Sequence, residues 1–196
     1  MLSNHSVILN NTMQDPSVLL LTGETGTGKT TVLKNILREL KTSGVNTGGM
    51  LAPGRYLASG EKEFDLELIP GEEKYSLSSR IEHTRWEAIG GFWFNPEAVE
   101  AGLRHLRSLS HGQYDLYLLD EIGPFELEGL LWAPAIPELI NTCVPMIWTV
   151  RASILEKVCR KWGLHNPMIV TKTEGIQKEP TKQIHKWLRE HLQASS

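Results

Sequence analysis

The stretch from Val18 to Thr31 reads VLLLTGETGTGKTT. Its centre, Gly23-Glu24-Thr25-Gly26-Thr27-Gly28-Lys29-Thr30, fits G-x-x-x-x-G-K-[ST], a loop that cradles phosphate. Glycines let the main chain curl so that successive N–H groups point at phosphate oxygens. Lys29 can reach the outer phosphates, the Thr30 hydroxyl can bind Mg²⁺, and Thr31 continues the run. The flanks suit such a loop. Val18 to Leu21 is a short apolar run of the kind that forms a buried strand. Val32, Leu33, Ile36, Leu37 and Leu40 are spaced for one face of a helix. A helix beginning at this point offers its N-terminus to an anion.

Working outward, the 196 residues suit one domain with a real core, residues 1–196, of which the first sixteen look loosely specified. The formal net charge is -3 and no basic stripe appears, which argues against nucleic acid as the main partner. Cys143 and Cys159 form neither a C-x-x-C nor a zinc spacing, and we expect both to be buried thiols in a reducing compartment. The start, MLSNHSVILN, has no basic region and no long apolar stretch, so it does not read as a signal peptide. No apolar run approaches membrane-spanning length. The expected location is the cytoplasm.

Along the chain, the first helix should stop near Ser43-Gly44. Gly48 to Ala52 reads as a strand broken by Pro53-Gly54. Tyr56 to Ala58 and Phe64 to Ile69 suggest a hairpin with one wet face. Lys74 to Leu77 is a further short strand, Ser78 to Ile89 is irregular, and Gly91 to Phe94 closes a strand. Asn95 then caps a helix with Pro96 at its first position. Val99, Leu103 and Leu106 are its expected apolar face, and His105 and His111 are expected near its end. Gly129 to Asn141 reads mostly as helix, with its regular part from about Pro134. Val144 to Val150 and Asn166 to Val170 are strands. Helices are expected around Ile154 to Trp162 and around Ile184 to Leu192.

The second decisive stretch is Leu116-Tyr117-Leu118-Leu119-Asp120-Glu121. An apolar strand ending in an acid is the pattern whose carboxylate serves Mg²⁺ opposite a phosphate loop. In a parallel sheet, ligands gather at the carboxyl ends of strands, so Asp120 and the Lys29 loop should share one crevice. Asp120 can bind the ion or orient a water on it. Glu121, the next residue, can take a proton from an attacking water.

Other residues invite a role. Arg80, Arg85 and Arg151 are candidates to neutralise phosphoryl charge, against the commoner reading as surface arginines. Trp93 or Trp148 could stack on a base, although tryptophans are more often core. Thr171-Lys172-Thr173-Glu174 is similar to a guanine-selecting Thr-Lys-x-Asp with Glu for Asp; the plainer reading is a polar loop.

The motif at Gly23–Thr31 (GETGTGKTT) and the phrase LLDEIGPFEL at Leu118–Leu127 resemble those of the THEP-type, or cancer-related, nucleoside triphosphatases. Phrases like Leu77-Ser78-Ser79-Arg80 and like Gly91 to Leu103 extend the resemblance over Val18 to Thr173. It implies an α/β, RecA-like P-loop fold: a mostly parallel twisted sheet flanked by helices, with a β-hairpin insertion. It also implies slow, Mg²⁺-dependent hydrolysis of several triphosphates, ATP and GTP among them. On that resemblance Lys29 grips phosphate, Thr30 and Asp120 serve the metal, and Glu121 activates water. The chain departs from the family pattern at Pro124, where lysine is usual, and at Pro53-Gly54-Arg55-Tyr56. Two alternatives stand beside hydrolysis. One is a P-loop kinase using Ser78 to Trp86 as its arginine-bearing lid, and the other is a nucleotide-gated binding protein without turnover.

Overall fold

The computed structural model describes residues 17–71, 73–176 and 178–192. The loosely specified N-terminal sixteen residues lie outside the described residues. Strand β1 (Val18–Gly23) is buried along its whole length. It runs parallel to β9 (Met146–Arg151) on one side and to β10 (Met168–Thr171) on the other. Strand β9 pairs in turn with β8 (Leu116–Ile122), and β8 pairs with β2 (Thr47–Leu51), again parallel. The parallel order is therefore β10-β1-β9-β8-β2, the RecA-like arrangement, with β9 between the loop strand and the acidic strand.

Beyond β2 the sheet turns antiparallel. It continues through β4 (Lys62–Ile69), β5 (Lys74–Ser79), β7 (Phe92–Phe94) and β6 (Glu87–Ile89), and β3 (Gly54–Tyr56) pairs with β4, for ten strands in all. This is the inserted hairpin, enlarged. Its wet face is only partly wet, because Glu63 is buried and bridged by Arg55 at 2.5 Å.

Helices cover both faces, which is why the central strands read as unbroken apolar runs rather than alternations. On one face α1 (Lys29–Thr42) and α6 (Lys178–Leu192) bury Leu33, Ile36, Ile184 and Trp187 against Leu19 and Leu21. On the other, α2 (Pro96–Leu109), α4 (Ile136–Ile140) and α5 (Leu155–Lys161) bury Leu106, Leu139 and Val158 against Leu20 and Trp148. Among the described residues no helix is long and apolar enough to cross a membrane.

Local signals set the helix ends. Asn95 accepts the Glu97 amide at 3.1 Å, and Pro96 follows it. Helix α1 ends at Ser43, with Gly44 at φ 75°.

Several expectations are corrected. The buried face of α2 is Ala98, Ala101, Gly102, Leu106 and Leu109, while Val99 and Leu103 are half-buried. The rotation follows from Trp132, whose ring would lie 2.5 Å from a Cβ at residue 102; the small side of α2 is where the indole seats. His105 is not at a helix end but inside α2, its Nε2 within 3.0 Å of the Gly49 carbonyl and 2.9 Å of the Ile69 carbonyl. The long helix expected over residues 129–141 shrinks to α4. Gly129 and Leu131 adopt positive φ, which no helix interior allows, and Pro134 and Pro137 withhold amide donors. A four-residue helix, α3 (Pro124–Leu127), forms upstream instead. The segment 78–89, expected to be irregular, contains the end of β5 and the whole of β6. Neither cysteine is buried: Cys143 is exposed on a turn at φ 58°, and Cys159 is half-buried. Trp148 is wholly buried and edge-on to Trp162 at 5.6 Å, so it cannot stack on a base. Trp93 sits half-buried in β7, in the antiparallel extension.

Candidate active site

The glycine loop leaves β1 at Gly23 and enters α1 at Lys29. Gly23 takes φ 146°, and a Cβ there would lie 2.3 Å from the Lys172 carbonyl oxygen, so only glycine fits. Gly28, at φ 89°, stands at the N-cap of α1 and supplies no side chain to cap it, and the first turn carries no acid. The leading amides of α1 therefore remain open to an outside acceptor.

Lys29 is buried, and its ammonium donates to the Gly23 and Glu24 carbonyls, each at 2.9 Å. Two of its three N–H donors are thus spent and one is left. Burial pushes its pKa down from the ordinary value, opposed by Glu121 and Asp120, while Arg151 lowers it further. Thr27 Oγ1 donates to the Glu24 carbonyl at 2.9 Å and tightens the loop. The fourteen residues of α1, Lys29–Thr42, form one regular helix. Thr30 is half-buried, whereas Thr25 and Thr31 are exposed.

The acidic pair sits where β8 loses register with β9. Leu119 pairs with Trp148 and Ile122 with Val150, so Asp120 and Glu121 together face Thr149. Such a bulge re-aims the residues it holds. Glu121 takes φ 58°, an uncommon conformation for a side-chain-bearing residue. Thr149 joins both acids: its hydroxyl donates to Asp120 Oδ1 at 2.5 Å and accepts the Glu121 amide at 2.7 Å. The Ala52 amide donates to Asp120 Oδ2 at 3.1 Å. Asp120 is fully buried. Burial pushes the Glu121 carboxyl above the ordinary carboxylate range, and Asp120 pushes it further; Lys29, Arg151 and Lys62 pull it back.

Of the three arginines only Arg151 reaches this crevice. It closes β9 in register with Gly23, its guanidinium is 4.0 Å from Glu121 Oε2, and its Nε is buried without a hydrogen-bond partner. Arg80 instead stacks on the Phe92 ring at 4.7 Å, and Arg85 is exposed on a turn at φ 73°. The loop after β10 is more than a polar surface. Lys172 is buried, its amide donates to the Thr22 carbonyl at 2.7 Å, and its ammonium donates to the Thr173 carbonyl at 2.6 Å.

Sequence reasoning missed Thr149 and the Ala52 amide. A signal existed for the first: Thr149 is the one polar side chain inside the apolar run Met146 to Val150. The amide carried none, because any residue but proline provides one. Among the described residues no group of three or more His, Cys, Asp or Glu side chains is arranged to hold a metal ion by itself. Mg²⁺ characteristically takes one or two carboxylates along with substrate phosphates.

The RecA-like sheet, the open helix under a glycine loop and the acids one strand away define a P-loop nucleoside triphosphatase. A family model described as NTPase matches residues 18–178. The chain is 30% identical over 156 residues to nucleoside-triphosphatase THEP1 of Ignicoccus hospitalis, covering 79% of this chain and 87% of that one. It is 29% identical over 143 residues to the THEP1 of Sulfolobus acidocaldarius, covering 72% and 81%. With that of Hyperthermus butylicus it shares 34% over 112 residues, or 57% of this chain and 58% of the relative. The chain belongs to this NTPase family.

Proposed function

We propose that the chain hydrolyses nucleoside triphosphates, ATP and GTP among them, to the diphosphate and phosphate in a Mg²⁺-dependent reaction. The observation that carries this is that Arg151, the last residue of β9, stands in register with Gly23 at the start of the glycine loop and 4.0 Å from Glu121 Oε2 on β8, so one strand brings loop and acids together. In the cradle of Gly23, Glu24, Thr25, Gly26, Thr27, Gly28, Lys29, Thr30 and Thr31, backbone amides and the Lys29 ammonium receive the phosphates. Thr30 and Asp120 are an all-oxygen donor set of the kind Mg²⁺ takes. The Asp120 carboxylate keeps lone pairs beyond the two spent on Thr149 and Ala52. When bound there, Mg²⁺ supplies neutralisation of phosphate charge.

Glu121 accepts a proton from water as the water oxygen bonds to the γ-phosphorus. The bond from that phosphorus to the β–γ bridging oxygen breaks, and the diphosphate leaves with the electron pair. A carboxyl held above the ordinary range is suited to keep that proton briefly. Arg151 is placed to offset charge on the transferred group, and it takes over the part that the family lysine would play at Pro124. The kinase alternative has less support, because its lid segment is occupied: Ser78 and Ser79 pair with Phe94 and Trp93 in the sheet, and Arg80 is stacked on Phe92.

The test is phosphate release from ATP, GTP, CTP and UTP, with Mg²⁺ and with EDTA. Release to water from more than one triphosphate, abolished by EDTA, is expected. No release, or release only with an added acceptor, overturns the reading.

A further inference from the structure

A cavity beside Glu121 is lined by no residue of the loop motif. Its enclosed space is about 70 Å³, room for a few waters or one small ring. Its walls come from two separate parts of the chain. Phe64, Phe92 and Phe94 come from the antiparallel extension, and Phe125 and Trp132 from the segment after β8. The rings meet edge to face, Phe94 with Phe125 at 5.2 Å and Phe92 with Phe125 at 6.2 Å. Glu121 and Arg151 form the side shared with the phosphate crevice.

At this aromatic wall lies Glu126, 1% exposed. One of its oxygens, Oε2, accepts the Gly123 amide at 2.7 Å. The other, Oε1, is buried and has no hydrogen-bond partner. A buried acceptor left unpaired is costly, and native interiors rarely tolerate one. The carboxyl answers by holding a proton, its pKa pushed up to about 7, chiefly by burial. A ligand with an N–H donor at its edge would satisfy Oε1 in the same way, while its ring met the aromatic walls.

We infer that this cavity is a second small-molecule site, for a planar nitrogen heterocycle that presents N–H donors to Glu126. The inference goes beyond triphosphate hydrolysis and does not depend on it. Its occupant would lie against Glu121, next to the bound nucleotide, without sharing the phosphate loop. Neither the glycine loop nor the Asp120 strand supplies any of its aromatic walls.

The probes are 2-aminopyridine, which carries an amidine-like N–H edge, and toluene, which has a similar ring and none. Binding to the full chain is followed by saturation-transfer NMR and calorimetry without nucleotide, at pH 7. Saturable binding of 2-aminopyridine at least about tenfold tighter than that of toluene is expected. Glu126→Gln should remove most of that preference, and Phe92→Ala should weaken both probes. Phe92 is only half-buried, so that variant keeps the test open if Glu126→Gln fails to fold. Lys29→Ala should bind both probes as the wild type does, so a failure of the hydrolysis reading leaves this result standing. Absence of saturable binding, equal affinity for the two probes, or a preference that survives Glu126→Gln overturns the inference.

Discussion

Thr149 and Asp120 are joined by a 2.5 Å hydrogen bond from hydroxyl to carboxylate, at the point where the strands carrying them fall out of register. The same hydroxyl oxygen accepts the Glu121 amide, so one side chain of β9 fixes both acids of β8. Because β9 also carries Arg151 and pairs with β1, it measures the distance between the acids and the phosphate loop.

Thr149→Val should therefore leave the Asp120 carboxylate and the Glu121 amide each short of a buried partner. A loss of about 1–3 kcal/mol is expected in urea unfolding. Phosphate release should fall about tenfold or more, while Thr149→Ser should recover most of it, since serine keeps the hydroxyl. Wild-type turnover in Thr149→Val would show that the acids hold their places without it.

Lys29→Ala removes the cation at the centre of the loop. Affinity for a fluorescent triphosphate should fall roughly 10²-fold or more, a scale typical of losing a preorganised charge partner. Unchanged affinity would remove the loop from the binding site.

Glu121→Gln should hold Mg²⁺–nucleotide near wild-type affinity and slow hydrolysis by about 10²–10⁴, the range of general-base losses. Glu121 must be ionised to take a proton, and its pKa lies above the ordinary carboxylate value. Wild-type kcat/KM should accordingly fall with acid on a limb displaced upward from that value, and the limb should vanish in Glu121→Gln. Loss of binding equal to the loss of turnover would mark Glu121 as structural.

Glu126 gives the fold its own pH dependence. Its pKa is about 7 when folded against an ordinary 4.5, so between those values the folded chain binds the extra proton. Stability from this group is full below the ordinary value and is lost as pH rises through about 7. The difference is of order 3 kcal/mol at the limit. Urea midpoints at pH 5 and pH 8 should differ less in Glu126→Gln than in the wild type. An identical slope in the two proteins would contradict the assignment.

How much of this was legible beforehand differs from element to element. The glycine loop, β1, α1 and the cap of α2 were readable because each is set by neighbours within a few residues. Gly28, Asn95 and Pro96 act on the backbone next to them. The segment after β8 was not readable in the same way. Gly129, Leu131 and the prolines prevent a long helix there, and Trp132 takes a seat on α2 that depends on Gly102, thirty residues earlier. Arg80 and Arg151 looked alike as isolated arginines, and only the pairing of strands put one beside Glu121 and the other on a phenylalanine ring.

The sequence by itself determined that a glycine loop lies between a buried strand and a helix, and that an acid-tipped strand belongs to the same sheet. Local backbone geometry and hydrophobic period are enough for both, because they act over a single turn or strand. Only the tertiary structure decided that β9 lies between them, that Thr149 holds both acids, and that Glu126 closes an aromatic cavity beside them. Each of those depends on residues far apart in the chain, whose meeting is fixed by strand order and core packing rather than by any local preference.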